Sequence, residues 1–246
     1  LLGFTSFTTE EKDIGEVYST TKVLTFRDGT REAMVLVKNY SDVRSLKWAL
    51  LGIWASAAKR FNMAPMARLE REYSMTAKLR DVGAMVPSIL AVAPDERTMV
   101  KEFIFGPTLA SIIDSFLKGS DGSLEPVSAY GVLVGKVHAA GMALGDAKAS
   151  NVVVSKDVLY LTDLEQALTG GDPAWDVAEF LYYTSKLSGR EDAMRRVADA
   201  FLKGYSETGD RAILAKARNL KYFLPFQPFL TPSMGRMLRE SMAEFS

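Results

Sequence analysis

Around Gly106-Pro107 the hydrophobic pattern of this chain changes, and that change constrains the fold more than any other feature. Before it, apolar residues fall in short β-rich runs. Residues 22–26 and 32–37 flank Arg27-Asp28-Gly29-Thr30, whose Asp-Gly pair is a strong hairpin signal. Residues 89–93 and 98–103 form a second pair of runs, joined by Pro94-Asp95-Glu96. Between the pairs, Leu46, Leu50, Ile53, Ala57 and Phe61 at three- and four-residue spacing predict a helix over 45–61. A second helix is predicted to start at Pro65 and end near Arg80, before Gly83. Past Gly106-Pro107 the spacing turns helical, over 108–117 and 127–140, and again from Asp172-Pro173 onward apart from the region of Pro225, Pro228 and Pro232. Two short strands, 152–154 and 158–161, flank a Ser155-Lys156-Asp157 turn. Strands first and helices afterwards predict an α+β chain, with a small strand-rich N-terminal lobe (1–104) and a helical C-terminal lobe (105–246).

Composition narrows the chemistry. The 246 residues hold 30 Lys plus Arg against 30 Asp plus Glu, which argues against a chain built mainly to coat nucleic acid. There is no cysteine and one histidine, which excludes thiol catalysis, disulfides and Cys/His zinc sites. His138 is the only imidazole for a Ser-His-Asp triad, and its place near the end of a predicted helix reads as structural. Chemistry therefore falls to carboxylates, amines and amides. No run approaches the roughly 20 apolar residues needed to span a bilayer. Leu1-Leu2-Gly3-Phe4 has no basic region ahead of an apolar stretch, so no signal peptide and a cytoplasmic location are expected.

The densest polar cluster is Leu144-Gly145-Asp146-Ala147-Lys148-Ala149-Ser150-Asn151, followed by the short hairpin and then Thr162-Asp163-Leu164-Glu165. The hairpin is expected to return Asp163 close to Asn151. A converging amide oxygen and carboxylate suit Mg²⁺, which takes hard oxygen ligands and keeps water or phosphate oxygens in its other positions. Asp146 is then free to orient and deprotonate a hydroxyl, and Lys148 to offset charge on a transferring phosphoryl group.

This ordered set resembles the protein-kinase-like fold: Asp146-x-Lys148-x-x-Asn151 is similar to the catalytic loop, and Asp163 to the metal-binding aspartate of the Asp-Phe-Gly motif. Upstream, Val35-Leu36-Val37-Lys38 resembles the lysine strand and Glu72 its helix partner, with Glu70 as fallback. Val100-Lys101-Glu102-Phe103-Ile104 followed by Gly106 resembles the hinge, which implies backbone contacts to adenine at Glu102 and Ile104. Asp176 is similar to the family aspartate that braces the catalytic loop. The resemblance covers residues 22–186. With the long connection from Lys38 to Glu72, it is closest to RIO kinases and the compact kinase subunit of the KEOPS tRNA-modification complex, and more distant from aminoglycoside phosphotransferases. It implies an ATP- and Mg²⁺-using, atypical serine/threonine protein kinase with autophosphorylation or ATPase activity. It also implies a protein substrate or partner, an RNA-associated complex and no membrane.

Several positions depart from the family pattern. Only Lys12-Asp13-Ile14-Gly15-Glu16-Val17-Tyr18 is placed to cover phosphates, without a Gly-x-Gly-x-x-Gly run. Leu144 replaces the histidine of His-Arg-Asp, and Glu165 the glycine of Asp-Phe-Gly; Glu165 either joins the metal shell or faces solvent. The short stretch from Asp163 to Asp176 leaves no room for a conventional activation loop. Lys101 falls where the adenine pocket is gated, which means either a register shift or an atypical pocket. Arg44, Lys47, Lys59, Arg60, Arg68 and Arg71 form a basic segment, read as a solvated helix face or as a contact surface for an acidic protein or RNA. The rival functions are a small-molecule kinase of the aminoglycoside-phosphotransferase type and a nucleotide-binding pseudokinase.

Overall fold

The computed structural model describes residues 8–13, 19–29, 31–41, 64–120 and 122–246. The helix expected over 45–61, most of the segment around Gly15, and Arg44, Lys47, Lys59 and Arg60 lie outside the described residues. The protein is α+β, with a β-rich N-terminal sheet and a helical C-terminal region.

The sheet is antiparallel and five-stranded: β1 (Thr8–Asp13), β2 (Ser19–Asp28), β3 (Arg31–Tyr40), β4 (Ile89–Ala93) and β5 (Thr98–Glu102), in the order β1-β2-β3-β5-β4. Gly29 takes a positive φ of 58° in the β2–β3 turn, as the Asp-Gly signal requires. Both hairpin strands run longer than their apolar cores, because polar residues at each end continue the ladder from Ser19↔Tyr40 to Asp28↔Arg31. Strand β1 was not expected. Its sequence, TTEEKD, has no apolar alternation, and it is held on β2 by the ladder and by exposed cross-strand charges such as Arg27 with Glu10 at 3.0 Å. Such pairs are worth little individually, but charge on an edge strand discourages pairing with other chains.

Helix α1 (Pro65–Asp81) begins with Pro at its first turn and packs one face inward: Arg68, Leu69, Glu72, Met75, Thr76 and Leu79. The face is mixed. Its first half lies against Tyr40 and Met99 in a small core under the sheet, while Met75 and Leu79 join the main core of the helical region.

The C-terminal region contains α2 (Leu109–Leu117), α3 (Glu125–Ala139), α4 (Pro173–Thr184), α5 (Glu191–Thr208), α6 (Arg211–Ala217), α7 (Leu220–Phe223) and α8 (Pro232–Phe245). Helices α3 and α5 approach backbone to backbone. A Cβ on Gly131 would lie 2.1 Å from the Phe201 carbonyl oxygen, and one on Gly204 would lie 2.0 Å from that of Ser128. Beside this contact Phe180 stacks on Phe201 with centroids 4.2 Å apart. The proline-rich segment is a 3₁₀ turn, Leu224–Phe229; its Phe226 is buried against Trp175 and Tyr182, so it closes the helical region, while Phe229 stays half exposed. Among the described residues no helix is long and apolar enough to cross a membrane.

A separate two-stranded hairpin is formed by β7 (Val152–Ser155) and β8 (Val158–Leu161). Val154 N–H donates to the Pro107 carbonyl (2.9 Å) and Leu161 N–H to that of Met85 (3.0 Å). Gly106 is required here by space, since a Cβ would lie 2.0 Å from the Val154 oxygen. The segment leaving β5 and the segment leaving α1 are thus both tied to the hairpin that carries Asp163 on its far end.

Candidate functional site

The loop from Leu144 to Asn151 begins after β6 (Met142–Ala143), a two-residue strand paired with β9 (Leu168–Thr169). Gly145 takes a positive φ of 74° and turns the chain into Asp146. The turn is fixed by Asp176, fully buried in the first turn of α4. Its Oδ2 accepts Leu144 N–H (2.6 Å) and its Oδ1 accepts Gly145 N–H (2.7 Å). His138 Nε2 lies 3.0 Å from Asp176 Oδ2, and His138 Nδ1 is 2.9 Å from the Tyr205 hydroxyl, so the single histidine is part of this buried brace. One turn further along α4, buried Glu179 accepts Ala147 N–H (2.9 Å) and Trp175 Nε1–H (3.1 Å). The Ala147 carbonyl accepts the Tyr130 hydroxyl (3.1 Å). The loop backbone on both sides of Asp146 is therefore held by buried side chains.

Within the loop, Lys148 Nζ lies 2.7 Å from Asp146 Oδ1. Burial pulls the Lys148 pKa down, but Asp146 and Glu179 raise it above its ordinary value, so the amine is charged. Asn151 donates its Nδ2–H to the Asp146 carbonyl (3.0 Å), which leaves the Oδ1 end of the amide turned from that bond. Thr162 N–H in turn donates to the Asn151 carbonyl (2.9 Å), holding the start of the Asp163 segment against the loop.

Opposite lies a buried ion cluster built from three parts of the chain. Lys38 Nζ is 2.8 Å from Glu72 Oε2, 2.9 Å from Asp163 Oδ1 and 3.1 Å from Glu165 Oε2. Arg68 Nη1 reaches Glu165 Oε1 at 3.1 Å, and Lys101 Nζ pairs with Glu72 Oε1. Three cations, Lys38, Arg68 and Lys101, thus face three carboxylates, Glu72, Asp163 and Glu165. Burial raises the Glu72 pKa, but Lys101 and Lys38 outweigh it and hold the carboxyl at about 2. Burial works against charge on Lys38, yet Asp163, Glu72 and Glu165 raise its pKa well above the ordinary lysine value. Desolvation raises the Asp163 pKa; Lys38 opposes this, and Glu165 and Glu72 add to it. Asp163 keeps a third of its side-chain surface exposed, unlike Glu72.

The structure brings together Lys38, Glu72 and Asp163, residues up to 125 positions apart, and separately Asp146, Lys148 and Asn151. Glu72, not exposed Glu70, is the partner of Lys38. Glu102 gives its N–H to the Ser88 carbonyl (2.8 Å) and accepts Ser88 N–H at Oε2 (3.1 Å). Ile104 follows just after β5, in the segment leading to Gly106.

Two expectations are corrected. Glu165 does not face solvent: it is buried between Lys38 and Arg68, because two cations from the sheet and α1 repay its desolvation, and with Glu72 and Asp163 it offers carboxylate oxygens within 4.8 Å of one another, a grouping compatible with the metal-shell alternative. Arg68 is not on a solvated face; it is 1% exposed and also donates to the Ser41 carbonyl (2.5 Å). Leu36 pairs with Lys101 and Lys38 with Met99 in an unbroken β3–β5 ladder, and Lys101 is a buried lysine of that sheet. Sequence reasoning did not find Glu179, although its i+3 spacing from Asp176 on one helix face was a readable signal.

No family model matches the chain. Over 157 residues, 63% of this chain, it is 25% identical to the probable serine/threonine-protein kinase BUD32 homolog of Archaeoglobus fulgidus, 75% of which is covered. It is 26% identical over 157 residues to a probable bifunctional tRNA threonylcarbamoyladenosine biosynthesis protein of Haloquadratum walsbyi, and 24% identical over 181 residues to one from Methanococcus vannielii. The matched segments cover 27% and 31% of those two proteins, so the chain corresponds to a third or less of each. These similarities agree with the resemblance to atypical kinases related to the KEOPS kinase subunit, and they support a kinase or phosphotransferase reading.

Proposed function

We propose that the protein is an ATP- and Mg²⁺-dependent phosphotransferase of the atypical serine/threonine-kinase type, two-lobed about a boundary near residue 104, acting with a protein or RNA-associated partner. The observation that carries this reading is the convergence of Lys38, Glu72 and Asp163 within 2.9 Å contacts across the sheet, α1 and the segment after β8. The donor set fits a hard divalent cation: Asp163 offers a part-exposed carboxylate whose oxygens group with those of Glu72 and Glu165 within 4.8 Å, and Asn151, tied through Nδ2 to the Asp146 carbonyl, carries an amide oxygen that only the Ser150 hydroxyl approaches, at 3.5 Å, among the contacts described. When bound, Mg²⁺ supplies charge neutralisation for the phosphates.

The chain's own residues do the rest. Glu72 holds Lys38, whose ammonium meets phosphate oxygens and fixes their position without exchanging a proton. Asp146, held in place by the bonds to Asp176 and Glu179 on either side, orients the acceptor hydroxyl and takes its proton at a carboxylate oxygen. Lys148 stays charged beside it and offsets negative charge at the transferring group. Glu102 and Ile104 meet adenine through backbone groups.

Calorimetric titration of ADP, with and without Mg²⁺, tests the nucleotide half of the proposal. The expected result is binding to wild type that depends on Mg²⁺ and that Asp163→Asn abolishes. Binding that is indifferent to Mg²⁺ and to Asp163→Asn contradicts it.

A further inference from the structure

A second lysine shares the carboxylate that anchors the first. On the paired strands β3 and β5, Lys38 lies opposite Met99 and Lys101 opposite Leu36, so both lysines project from one face of the sheet, toward α1. Glu72 lies between them. Its Oε2 accepts from Lys38 (2.8 Å) and from the Tyr40 hydroxyl (2.7 Å), and its Oε1 accepts from Lys101. Lys101 Nζ also donates to the Thr162 carbonyl (2.7 Å), one residue before Asp163. A lysine that is 4% exposed at a strand position otherwise suited to an apolar side chain carries a desolvation cost, which these acceptors offset.

We infer that Lys101 is a positioning residue of the nucleotide site, holding Glu72 and the Thr162–Asp163 segment in place while Lys38 engages a phosphate. With only Lys38 as partner, a buried Glu72 carboxylate would oppose any move of that ammonium toward a ligand, since the move would leave the charge uncompensated. Lys101 keeps Glu72 paired, so α1 stays docked and Lys38 is free to shift. The same ammonium restrains the residue preceding Asp163, so it links the lysine-strand side of the site to the metal-holding side. Lys101 itself touches neither nucleotide nor metal in this arrangement. The inference rests on the MgATP reading above and deepens it.

The test is calorimetric titration of ADP, with Mg²⁺ and with EDTA, into wild type, Lys101→Met, Lys101→Gln and Lys101→Arg, with thermal unfolding of each unliganded protein. Lys101→Met is expected to weaken Mg²⁺-dependent ADP binding by about ten-fold, as loss of a supporting contact behind a metal ligand does. Binding in EDTA is expected to change little. Lys101→Arg, which keeps the charge and can donate to both acceptors, is expected to recover most of the loss. If Lys101→Met does not fold, Lys101→Gln carries the same comparison, because it keeps a donor but not the charge. Mg²⁺-dependent affinity equal to wild type in the neutral variants, even with a lowered melting temperature, overturns the inference and leaves the functional reading standing. Failure of wild type to bind ADP with Mg²⁺ overturns the functional reading and the inference with it.

Discussion

Removing the Asp176 carboxylate is the most informative perturbation of the catalytic loop, because its cost follows from named bonds. Fully buried, it accepts Leu144 N–H at 2.6 Å, Gly145 N–H at 2.7 Å and pairs with His138 at 3.0 Å. Asp176→Ala leaves two backbone donors without their acceptor in a site closed to water. At about 1–3 kcal/mol for each stranded donor, the loss is about 4 kcal/mol. Asp176→Asn costs less. Its single oxygen satisfies one of the two donors, while its amide faces the other, and His138 can accept from that amide in one tautomer only if it sits on the Oδ2 side. One stranded donor makes this roughly 2 kcal/mol. For a chain of this size each kcal/mol moves the melting temperature by about 2–4 °C, so the midpoints should fall by roughly 6 °C for Asp176→Asn and 12 °C for Asp176→Ala. The assay is thermal unfolding followed by circular dichroism. A midpoint for Asp176→Ala within about 2 °C of wild type refutes the assignment, since a drop that small means the two donors have found other acceptors.

Two further outcomes follow from packing and from charge. Gly204→Ala puts a Cβ 2.0 Å from the Ser128 carbonyl oxygen, so α3 and α5 must separate; urea unfolding should show a loss on the order of 1–3 kcal/mol, against little change for Gly189→Ala, which meets nothing. Folding lowers the Glu72 pKa from 4.5 to about 2, so the pair contributes stability above pH 4.5 that is lost as the pH falls toward 2. Wild type should therefore lose on the order of 3 kcal/mol through that window from this group, and the acid unfolding curve of Glu72→Gln should be flatter there.

Much of the fold was legible because local chemistry and tertiary packing agree. Asp28-Gly29 gives the hairpin, Pro65 the helix start, and apolar spacing the helices after Gly106. The unread elements are those with no local signal. Strand β1 is polar and exists through pairing with β2, and β6 and β9 are two residues each, defined by one another. At the site, the grouping of Asp146, Lys148 and Asn151 was legible from their spacing, while the pairing of Lys38 with Glu72 was expected only from the family resemblance. The partners of Arg68, Glu165 and Lys101 were not legible, because a charged residue in sequence reads as solvated until the fold brings up its opposite charge. Arg68 and Glu165 are 97 positions apart; in the interior Arg68 is compensated by Glu165 and the Ser41 carbonyl, and Glu165 by Arg68 and Lys38.

The central claim is that Asp146 and Asp163 carry phosphoryl transfer from ATP, and it is tested most directly by incubating the purified protein with Mg²⁺ and γ-labelled ATP. Wild type should label protein or release labelled phosphate; Asp146→Ala should bind ADP with Mg²⁺ but lose turnover by about 10²–10⁴-fold, and Asp163→Ala should lose both. Equal turnover by wild type and Asp146→Ala, or nucleotide bound by wild type with no turnover in the presence of its partner, would contradict it.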